Sequence, residues 1–537
     1  MKLENKKNNS TIKRLTRIAI YLSSEKDLSA ILKLILDEAI SFTNADGATI
    51  YLLNKNKRKL DFSLIYNRTL NIEKIYGRDK INWPSVDLYQ ESSGKRLDTA
   101  VSYAFHRKEK LIISDIYKQN KFNTAGTYRY DEGNNYKTQS VAVFPLKDHE
   151  EKVIGILQLI NAVDDFGNTT EFQTKQINML TALTSLTAIR LTQKELIESL
   201  ENLLYQFIRS IAKTLDRKSK HTAGHISRVA ELTKEFALSL NKSDKGDFRS
   251  IDFDSNKIEE ITLAAWMHDI GKIITPAHIL DKSKKLEKIF DRFELIKTRI
   301  ELIKTTIEKD LISEESYSKS EELKNILKRL VEYESIIDKV NKSDFLSEDE
   351  KIKIEEIAEF KYQAKDKTYY ILNNSETRNL LIKKGNLLPE EIDKIRHHVT
   401  VTGEILEELS FPEKVKQVPF FAKTHHELLD GSGYPNHLTK KDLPIQSQII
   451  ALADIFEALT ANDRPYKKPM ALSKALKIIA YQAKDGKLSK KLLDHFLTTK
   501  LFMKYAYEYL NDSQIDTIDT NQLKEIYHNE KNNKHQA

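Results

Sequence analysis

Eight of the fourteen histidines of this 537-residue chain fall in or beside five short pieces of its C-terminal half. The first is His221-Thr222-Ala223-Gly224-His225-Ile226-Ser227-Arg228-Val229, whose helical spacing puts His221, His225 and Arg228 on one face. The second is Ala264-Ala265-Trp266-Met267-His268-Asp269-Ile270-Gly271-Lys272. An adjacent His-Asp pair at a helix end can offer two ligands to one site, with the aspartate able to bridge two metals. The third piece is His397-His398-Val399. The fourth is His425-His426, running on through Glu427-Leu428-Leu429-Asp430-Gly431-Ser432-Gly433-Tyr434-Pro435. The fifth is Asp454 within Ile450-Ala451-Leu452-Ala453-Asp454-Ile455-Phe456. Imidazole nitrogens with carboxylates suit iron, manganese or another borderline divalent metal. Two such ions about 3.5–4 Å apart can hold both non-bridging oxygens of a phosphate and activate water for in-line attack. Lys272, Arg464 and Lys467 would then supply positive charge for phosphate oxygens. A lone histidine on an apolar helix is ordinarily a satisfied core residue, so each piece alone is a weak signal. The set, each member in an apolar helical context, is a strong one.

Composition narrows the chemistry further. The chain has no cysteine, which excludes disulfides, zinc–thiolate sites and cysteine nucleophiles. A reducing cytoplasm fits that composition. The 86 basic and 79 acidic residues are heavily intermixed, so the net charge of +7 reads as a lysine-rich solvated surface and not as a nucleic-acid interface. The polar start, Met1 to Ser10, lacks the apolar stretch of a signal peptide, and no apolar run approaches the roughly 18 residues of a membrane span.

Several elements must position these residues. The length implies roughly two to four folding units. Residues 1–14 read as a frayed polar tail. Helical apolar spacing follows from about Leu15 to Ala45, with Ile31, Leu32, Leu34, Ile35, Ala39, Ile40 and Phe42 in a broad stripe. Asn44-Ala45-Asp46-Gly47 signals a turn, Ala48 to Leu53 a strand, and Asn54 to Lys57 a hairpin tip. Val141–Leu146 and Val153–Asn161 read as two further strands, and a helix begins near Phe172 and runs toward Leu215. Helix, antiparallel strands, helix is an α+β pattern. Residues 191–216 read as a connector helix joining two domains and pairing with itself in a dimer. From 217 to 510 the pattern is mostly helical. Within it, Ile289, Phe293, Ile296, Ile300, Ile303 and Ile307 repeat at four-three spacing. Leu323, Ile326, Leu330, Tyr333, Ile337 and Val340 do the same, across the polar break Ser313-Glu314-Glu315-Ser316. An antiparallel helical hairpin over about 284–345 is the simplest reading. Residues 511–537 read as a polar C-terminal tail.

The opening helix into Ala45-Asp46-Gly47-Ala48-Thr49-Ile50-Tyr51-Leu52, with the Phe144-Pro145-Leu146 to Gly155–Asn161 hairpin, resembles a GAF domain over roughly residues 15–190. That resemblance implies a sensory or dimerising module. Without cysteine a thioether-linked chromophore is excluded, while a small ligand and a purely structural dimer role both stay open.

His268-Asp269-Ile270-Gly271-Lys272, followed by His425-His426-Glu427, Asp430-Gly431 and Gly433-Tyr434-Pro435, resembles the HD-GYP family of HD phosphohydrolases. The match covers roughly 205–480 and extends into Asp454–Ala461 and Asp463-Arg464-Pro465-Tyr466-Lys467. The resemblance implies an all-helical fold with a two- or three-metal centre, often iron, that hydrolyses cyclic di-GMP to the linear dinucleotide or GMP. Carried over by position, it makes His225, His268, Asp269, His398, His425, His426 and Asp454 the metal ligands, with Asp269 bridging. Asp269 and Lys272 become the catalytic pair. Lys272, Arg464 and Lys467 become phosphate contacts, and Gly433, Tyr434 and Pro435 border the substrate. Spacing alone does not choose between His397 and His398; the family register, in which the histidine directly before Val is the ligand, selects His398.

Two departures from the family stand out. Here 130 positions separate His268 from His398, and the hairpin fills that gap. Some members carry a glutamate, helping to hold a third metal, where this chain has His221. The resemblance therefore implies two metals, iron or manganese, and leaves His221 and Arg228 as candidates for a third-metal or accessory role. The expected architecture is a multidomain chain, an α+β GAF-like sensor and then an all-α HD-type phosphohydrolase domain with an inserted helical hairpin. The partners it implies are cyclic di-GMP, a small ligand of the GAF-like domain, a diguanylate cyclase (GGDEF) protein and a second copy of the chain. Two rivals stay open: an HD-type hydrolase of another cyclic nucleotide, and a non-catalytic cyclic di-GMP receptor.

Overall fold

Asp27 begins the N-terminal fold by accepting from the Ser29 and Ala30 amides at the start of a helix, and Asn44 ends that helix in the left-handed conformation. These two caps bound α2 (Leu28–Thr43), which follows α1 (Lys2–Ser24). They belong to a computed structural model that describes residues 2–25, 27–75, 83–90, 94–218, 224–243, 248–249, 251–313, 317–364, 367–462 and 469–528. The chain divides into two compact units, Met1–Leu203 and Leu204–Ala537.

In the first unit α1 takes up the segment expected as a frayed tail, and buries Ile18 and Leu22. The turn expected over Asn44–Gly47 is confined to Asn44, because Ala45 and Gly47 already pair with Ala162 and Ile160. The strands are β1 (Ala45–Leu53), β2 (Lys59–Asn67), β3 (Ile72–Ile75), β4 (Val86–Asp87), β5 (Leu111–Ile113), β6 (Val141–Lys147), β7 (Val153–Val163) and β8 (Thr169–Thr170). They form one antiparallel sheet in the order β3-β2-β1-β7-β6-β5, with β4 on β2 and β8 on β7. The period-two alternation of a strand sorts its side chains. Ile50, Phe144 and Leu157 pack with Ile31 and Leu36 of α2 and with Leu180 and Leu183 of α5 (Thr174–Asp216). On the opposite face Tyr51, Val143 and Ile156 pack with Val101 and Ala104 of α3 (Ala100–Arg107). The helix α4 (Ala125–Asn134) follows β5.

The second unit is mostly helical. After the end of α5 come α6 (His225–Asn241), α7 (Ser255–Met267), a 3-10 helix (Ile270–Ile274) and α8 (Ala277–Leu280). The expected hairpin is present as α9 (Phe293–Ser313) and α10 (Tyr317–Lys342). Its seam residues Phe293, Ile296, Ile300, Ile303, Ile307, Leu330, Tyr333, Ile337 and Val340 are buried, whereas Ile289 lies outside the seam and exposed. Of the polar break, Glu314, Glu315 and Ser316 lie outside the described residues. The inserted region is larger than the hairpin. It continues through α11 (Glu348–Glu359), the two-stranded β9 (Lys361–Ala364) and β10 (Lys367–Tyr370), and α12 (Asn374–Leu380). Ile354, Ile357, Tyr362 and Leu380 join the same core.

The chain returns through α13 (Pro389–Arg396), α14 (His398–Glu407), α15 (Val418–Lys423) and α16 (Ile445–Thr460), then α17 (Leu472–Lys484), α18 (Lys490–Thr498), α19 (Leu501–Tyr509) and α20 (Thr520–His528). The expected polar tail is corrected at α20. Leu523 and Tyr527, one helical turn apart, are buried in the main core, and the Tyr527 hydroxyl donates to Asp494 at 2.8 Å. Two apolar residues at that spacing anchor an otherwise polar helix. No helix among the described residues is long and apolar enough to cross a membrane.

Candidate metal centre

Helix ends bring the histidines together. His225 opens α6, His268 closes α7, His398 opens α14, and His425 and His426 follow α15. Asp269 leads into the 3-10 helix, and Asp454 projects from the middle of α16. Three of the imidazoles are held in one way. His268 Nδ1 bonds the Ala265 carbonyl at 2.7 Å, His425 Nδ1 the Ala422 carbonyl at 2.6 Å, and His398 Nδ1 the Ile395 carbonyl. A carbonyl only accepts, so each Nδ1 carries the hydrogen and each Nε2 presents a lone pair.

Those lone pairs converge on Asp269. Its Oδ2 lies 3.3 Å from His268 Nε2, 3.4 Å from His225 Nε2 and 2.6 Å from Lys272 Nζ. Its Oδ1 lies 3.2 Å from His398 Nε2 and 4.0 Å from His425 Nε2. One carboxylate thus faces two groups of histidines, one with each oxygen. Asp454 completes the arrangement, with Oδ1 3.3 Å from His225 Nε2 and Oδ2 3.9 Å from His426 Nδ1. Three triads (His225–His268–Asp454, His268–Asp269–His425 and His398–His425–His426) each hold their ligand atoms within 4.8 Å of one another.

The fit to a cation follows from what these atoms lack. His268 Nε2, His398 Nε2, His425 Nε2 and Asp269 Oδ1 are buried, and none has a hydrogen-bond partner among the described residues. Buried polar atoms are almost always satisfied. Four orphaned acceptors pointing at one another repel unless a cation lies between them, and nitrogen with carboxylate oxygen is a donor set for divalent transition metals. The residues present fit such ions.

Charge within the cluster is finely divided. Burial drives the His425 imidazole well below its ordinary value, helped by His426 and His268, and pushes His426 down to about 4, so both are neutral donors. Burial also opposes the charged forms of His225 and His268. The carboxylates of Glu457, Asp269 and Asp454 together outweigh it at His225, and those of Asp269 and Asp454 at His268, raising both. Burial likewise opposes ionisation of Asp269 and Asp454, but Lys272 with the imidazoles at Asp269, and the imidazoles at Asp454, hold both carboxyls well below the usual range. A metal and the protons on His225 and His268 therefore compete for the same lone pairs.

Burial also separates the two candidates of the third piece, since His398 is buried and His397 exposed. Arg228, expected on the face of His225, bonds Glu457 with Nε and Nη2, both at 2.7 Å. Tyr434 sets its ring 4.9 Å from that of His426, and the Arg396 guanidinium lies over the Tyr434 ring at 5.3 Å. Gly433 is pressed onto main chain: a Cβ there would meet Leu428 N at 2.4 Å and His426 O at 2.6 Å. Pro435 follows Tyr434 through a cis bond. His221, Arg464 and Lys467 lie outside the described residues.

Three contributors escaped the sequence reading. Glu457 is wholly buried and its Oε2 takes His225 Nδ1, fixing that ring. Its signal was position, three residues after Asp454 and so on the same helical face. Thr402 Oγ1 donates to the His268 carbonyl at 3.1 Å and accepts from Gly271 N at 3.0 Å, tying α14 to the His-Asp turn. Glu427 accepts from Asn436 N at 2.7 Å and Leu438 N at 3.0 Å, closing the loop that carries Tyr434.

Family models match the chain as a GAF domain over residues 27–191 and as an HD domain over 222–356 and 375–492. The chain carries a GAF domain followed by an HD domain. All seven residues of the cluster lie within the two HD matches. A cyclic di-GMP phosphodiesterase of Thermotoga maritima is 37% identical over 140 residues, 26% of this chain and 36% of that protein. A 3'3'-cGAMP-specific phosphodiesterase 1 of Vibrio cholerae is 37% identical over 115 residues, 21% of this chain and 26% of that one. The chain thus spans little more than a third of these curated relatives at most. A solved GAF domain from an Acinetobacter phosphoenolpyruvate-protein phosphotransferase is 15% identical, covers 35% of this chain and 96% of that one, and superposes with a TM-score of 0.26.

Proposed function

We propose that the HD domain is a metal-dependent phosphodiesterase of the HD-GYP kind, hydrolysing cyclic di-GMP to the linear dinucleotide, GMP or both, under control of the GAF domain. One observation carries this reading: the buried, unpartnered Nε2 atoms of His268, His398 and His425, gathered with Asp269 Oδ1. His225, His268, Asp269 and Asp454 would hold one divalent ion, and Asp269, His398, His425 and His426 a second, iron or manganese in each case. Such a pair supplies Lewis-acid polarisation of a phosphodiester and a more acidic water. Asp269 is the shared ligand because each of its oxygens faces one group. Glu457 keeps the Nδ1 of His225 engaged so that Nε2 points inward. Lys272 keeps its charge, since Asp269, with Asp454 and Glu457, together outweigh the effect of burial. Its ammonium sits where negative charge develops on phosphate oxygens. Tyr434 and Arg396 offer a ring and a guanidinium plane at the rim for a nucleobase, and Arg464 and Lys467 would add phosphate contacts.

The likeness to a 3'3'-cGAMP-specific phosphodiesterase supports a second reading, in which the substrate is a mixed cyclic dinucleotide. Incubating the manganese-loaded chain with cyclic di-GMP and 3'3'-cGAMP in parallel, with products separated by chromatography, decides between them. Faster cleavage of cyclic di-GMP is expected. Binding of cyclic di-GMP without cleavage would replace the enzyme by a receptor.

Two features support the regulatory half. The GAF domain encloses a cavity of about 450 Å³ walled by Tyr51, Phe62, Trp83 and Tyr130, a volume within the range of small-ligand pockets. Along α5, Ile189, Leu196, Leu200, Leu203 and Phe207 are exposed at the four-three spacing of a coiled-coil seam, which supports a homodimer. Leu200→Asp should convert a dimer to a monomer in sedimentation; a monomeric unsubstituted chain would remove this part of the reading.

A further inference from the structure

The end of α5 is joined to the metal centre by two side chains that no part of the reaction uses. Asp216 is its last residue, and Lys218 follows in the turn. Lys218 Nζ donates to three main-chain carbonyls at once: Lys272 at 3.0 Å, Thr275 at 2.9 Å and Ile273 between them. These belong to the C-terminal end of the 3-10 helix that begins directly after Asp269 and contains Lys272. Carbonyls at the end of a short helix carry the negative end of its dipole, and the Lys272 carbonyl accepts the Thr275 amide at 3.1 Å as well. An ammonium shared among three of them is a charge-assisted staple.

Asp216 acts on a second segment of the centre. It is buried, and its Oδ1 accepts from Ile226 N at 3.3 Å. Ile226 is the second residue of α6, the helix that His225 opens. Gly224, at the N-cap, has no side chain to satisfy the free amides there. Asp216 supplies a carboxylate to a helix N-terminus that lacks its own cap.

We propose that Lys218 is a positioning residue for the metal centre: it holds the Asp269–Lys272 segment in ligand geometry, while Asp216 holds the start of α6 that presents His225. The inference rests on the metal-centre reading above and assigns the control point to the end of α5. A shift of that helix end moves both ligand segments, so it is read as a change in metal affinity before any substrate is present.

The test uses the full chain, stripped of metal and titrated calorimetrically with Mn²⁺ alone. Replacing a group that supports a metal ligand weakens binding about 10- to 100-fold. Lys218→Met should therefore weaken Mn²⁺ binding by about 10-fold or more. Lys218→Arg, which can still reach the carbonyls, should stay close to the unsubstituted chain. Circular dichroism and the thermal midpoint of the metal-free proteins separate positioning from folding. If Lys218→Met does not fold, Lys218→Gln, shorter and without the charge, is read in the same way. Unchanged Mn²⁺ affinity in Lys218→Met overturns the proposal, as does an equal loss in the methionine and arginine variants that tracks a lowered midpoint. An unsubstituted chain that binds Mn²⁺ but cleaves no cyclic dinucleotide sinks the phosphodiesterase reading and leaves this one standing. One that takes up no Mn²⁺ sinks both.

Discussion

Gly271 has less room for a side chain than Gly433 or Gly155, the other glycines pressed onto main chain. A Cβ built there would lie 1.9 Å from the His398 carbonyl oxygen and 2.7 Å from Thr402 N, where real Cβ atoms keep at least 3.0 Å. The obstacle is main chain of α14, with no flexible side chain to turn aside. Gly271→Ala must therefore force the His-Asp turn and α14 apart by about 1 Å. Overpacking of that kind costs about 1–3 kcal/mol. The same movement stretches the 3.0 Å bond from Gly271 N to Thr402 Oγ1. Leaving that buried amide unsatisfied adds about 1–3 kcal/mol. Alanine returns only about 0.5–1 kcal/mol of backbone entropy. A net loss of about 3 kcal/mol is expected, together with loss of metal, since His268, Asp269 and His398 sit on the two segments driven apart. Urea unfolding followed at Trp266, in a background where Trp83 is replaced by Phe, measures the first, and Mn²⁺ stoichiometry the second. A Gly271→Ala variant with an unchanged midpoint and full Mn²⁺ uptake would refute the described packing of this turn on α14.

Thr402→Val removes both bonds that tie α14 to the His-Asp turn and should cost about 1–3 kcal/mol in urea titration, whereas Thr402→Ser should be nearly neutral; equal effects would show that the hydroxyl is not the reason. Glu457→Gln should weaken Mn²⁺ binding about 10- to 100-fold by releasing His225, with unchanged affinity counting against Glu457 as its support. Ile300→Ala, in the separate core of the inserted region, should cost about 2–5 kcal/mol there and speed amide exchange in α9 and α10. Mn²⁺ binding at the centre should be little changed by it, and a parallel loss of metal would mean that the two cores are not independent.

The cluster around Asp269 was legible because adjacent pairs such as His268-Asp269 and His425-His426 are rare and each sits at a helix end that apolar spacing reveals. The hairpin was legible for a similar reason: nine of its seam residues are buried at the spacing read from sequence. Glu457 was not, since a glutamate in a helix reads as a solvated residue until the fold aims His225 and Arg228 at it. The same limit hid α20, where Leu523 and Tyr527 stand among polar neighbours and only the core of the HD domain gives them a partner. It also hid the first half of α1, where the lysines and asparagines before Leu15 read as a solvated tail. β2 was missed for a different reason: Leu60 and Leu64 alternate as a strand requires, but Lys59, Asp61 and Asn67 punctuate the run as a loop would.

Seven side chains gathered around Asp269 are proposed to hold the metal with which the HD domain cleaves a cyclic dinucleotide. Metal content and cyclic di-GMP turnover, measured on the same preparation of the full chain and of Asp269→Ala, test this most directly. About two iron or manganese ions per unsubstituted chain are expected, with timed appearance of linear dinucleotide or GMP, and loss of both metal and turnover in Asp269→Ala. Full turnover surviving in Asp269→Ala would contradict the proposal.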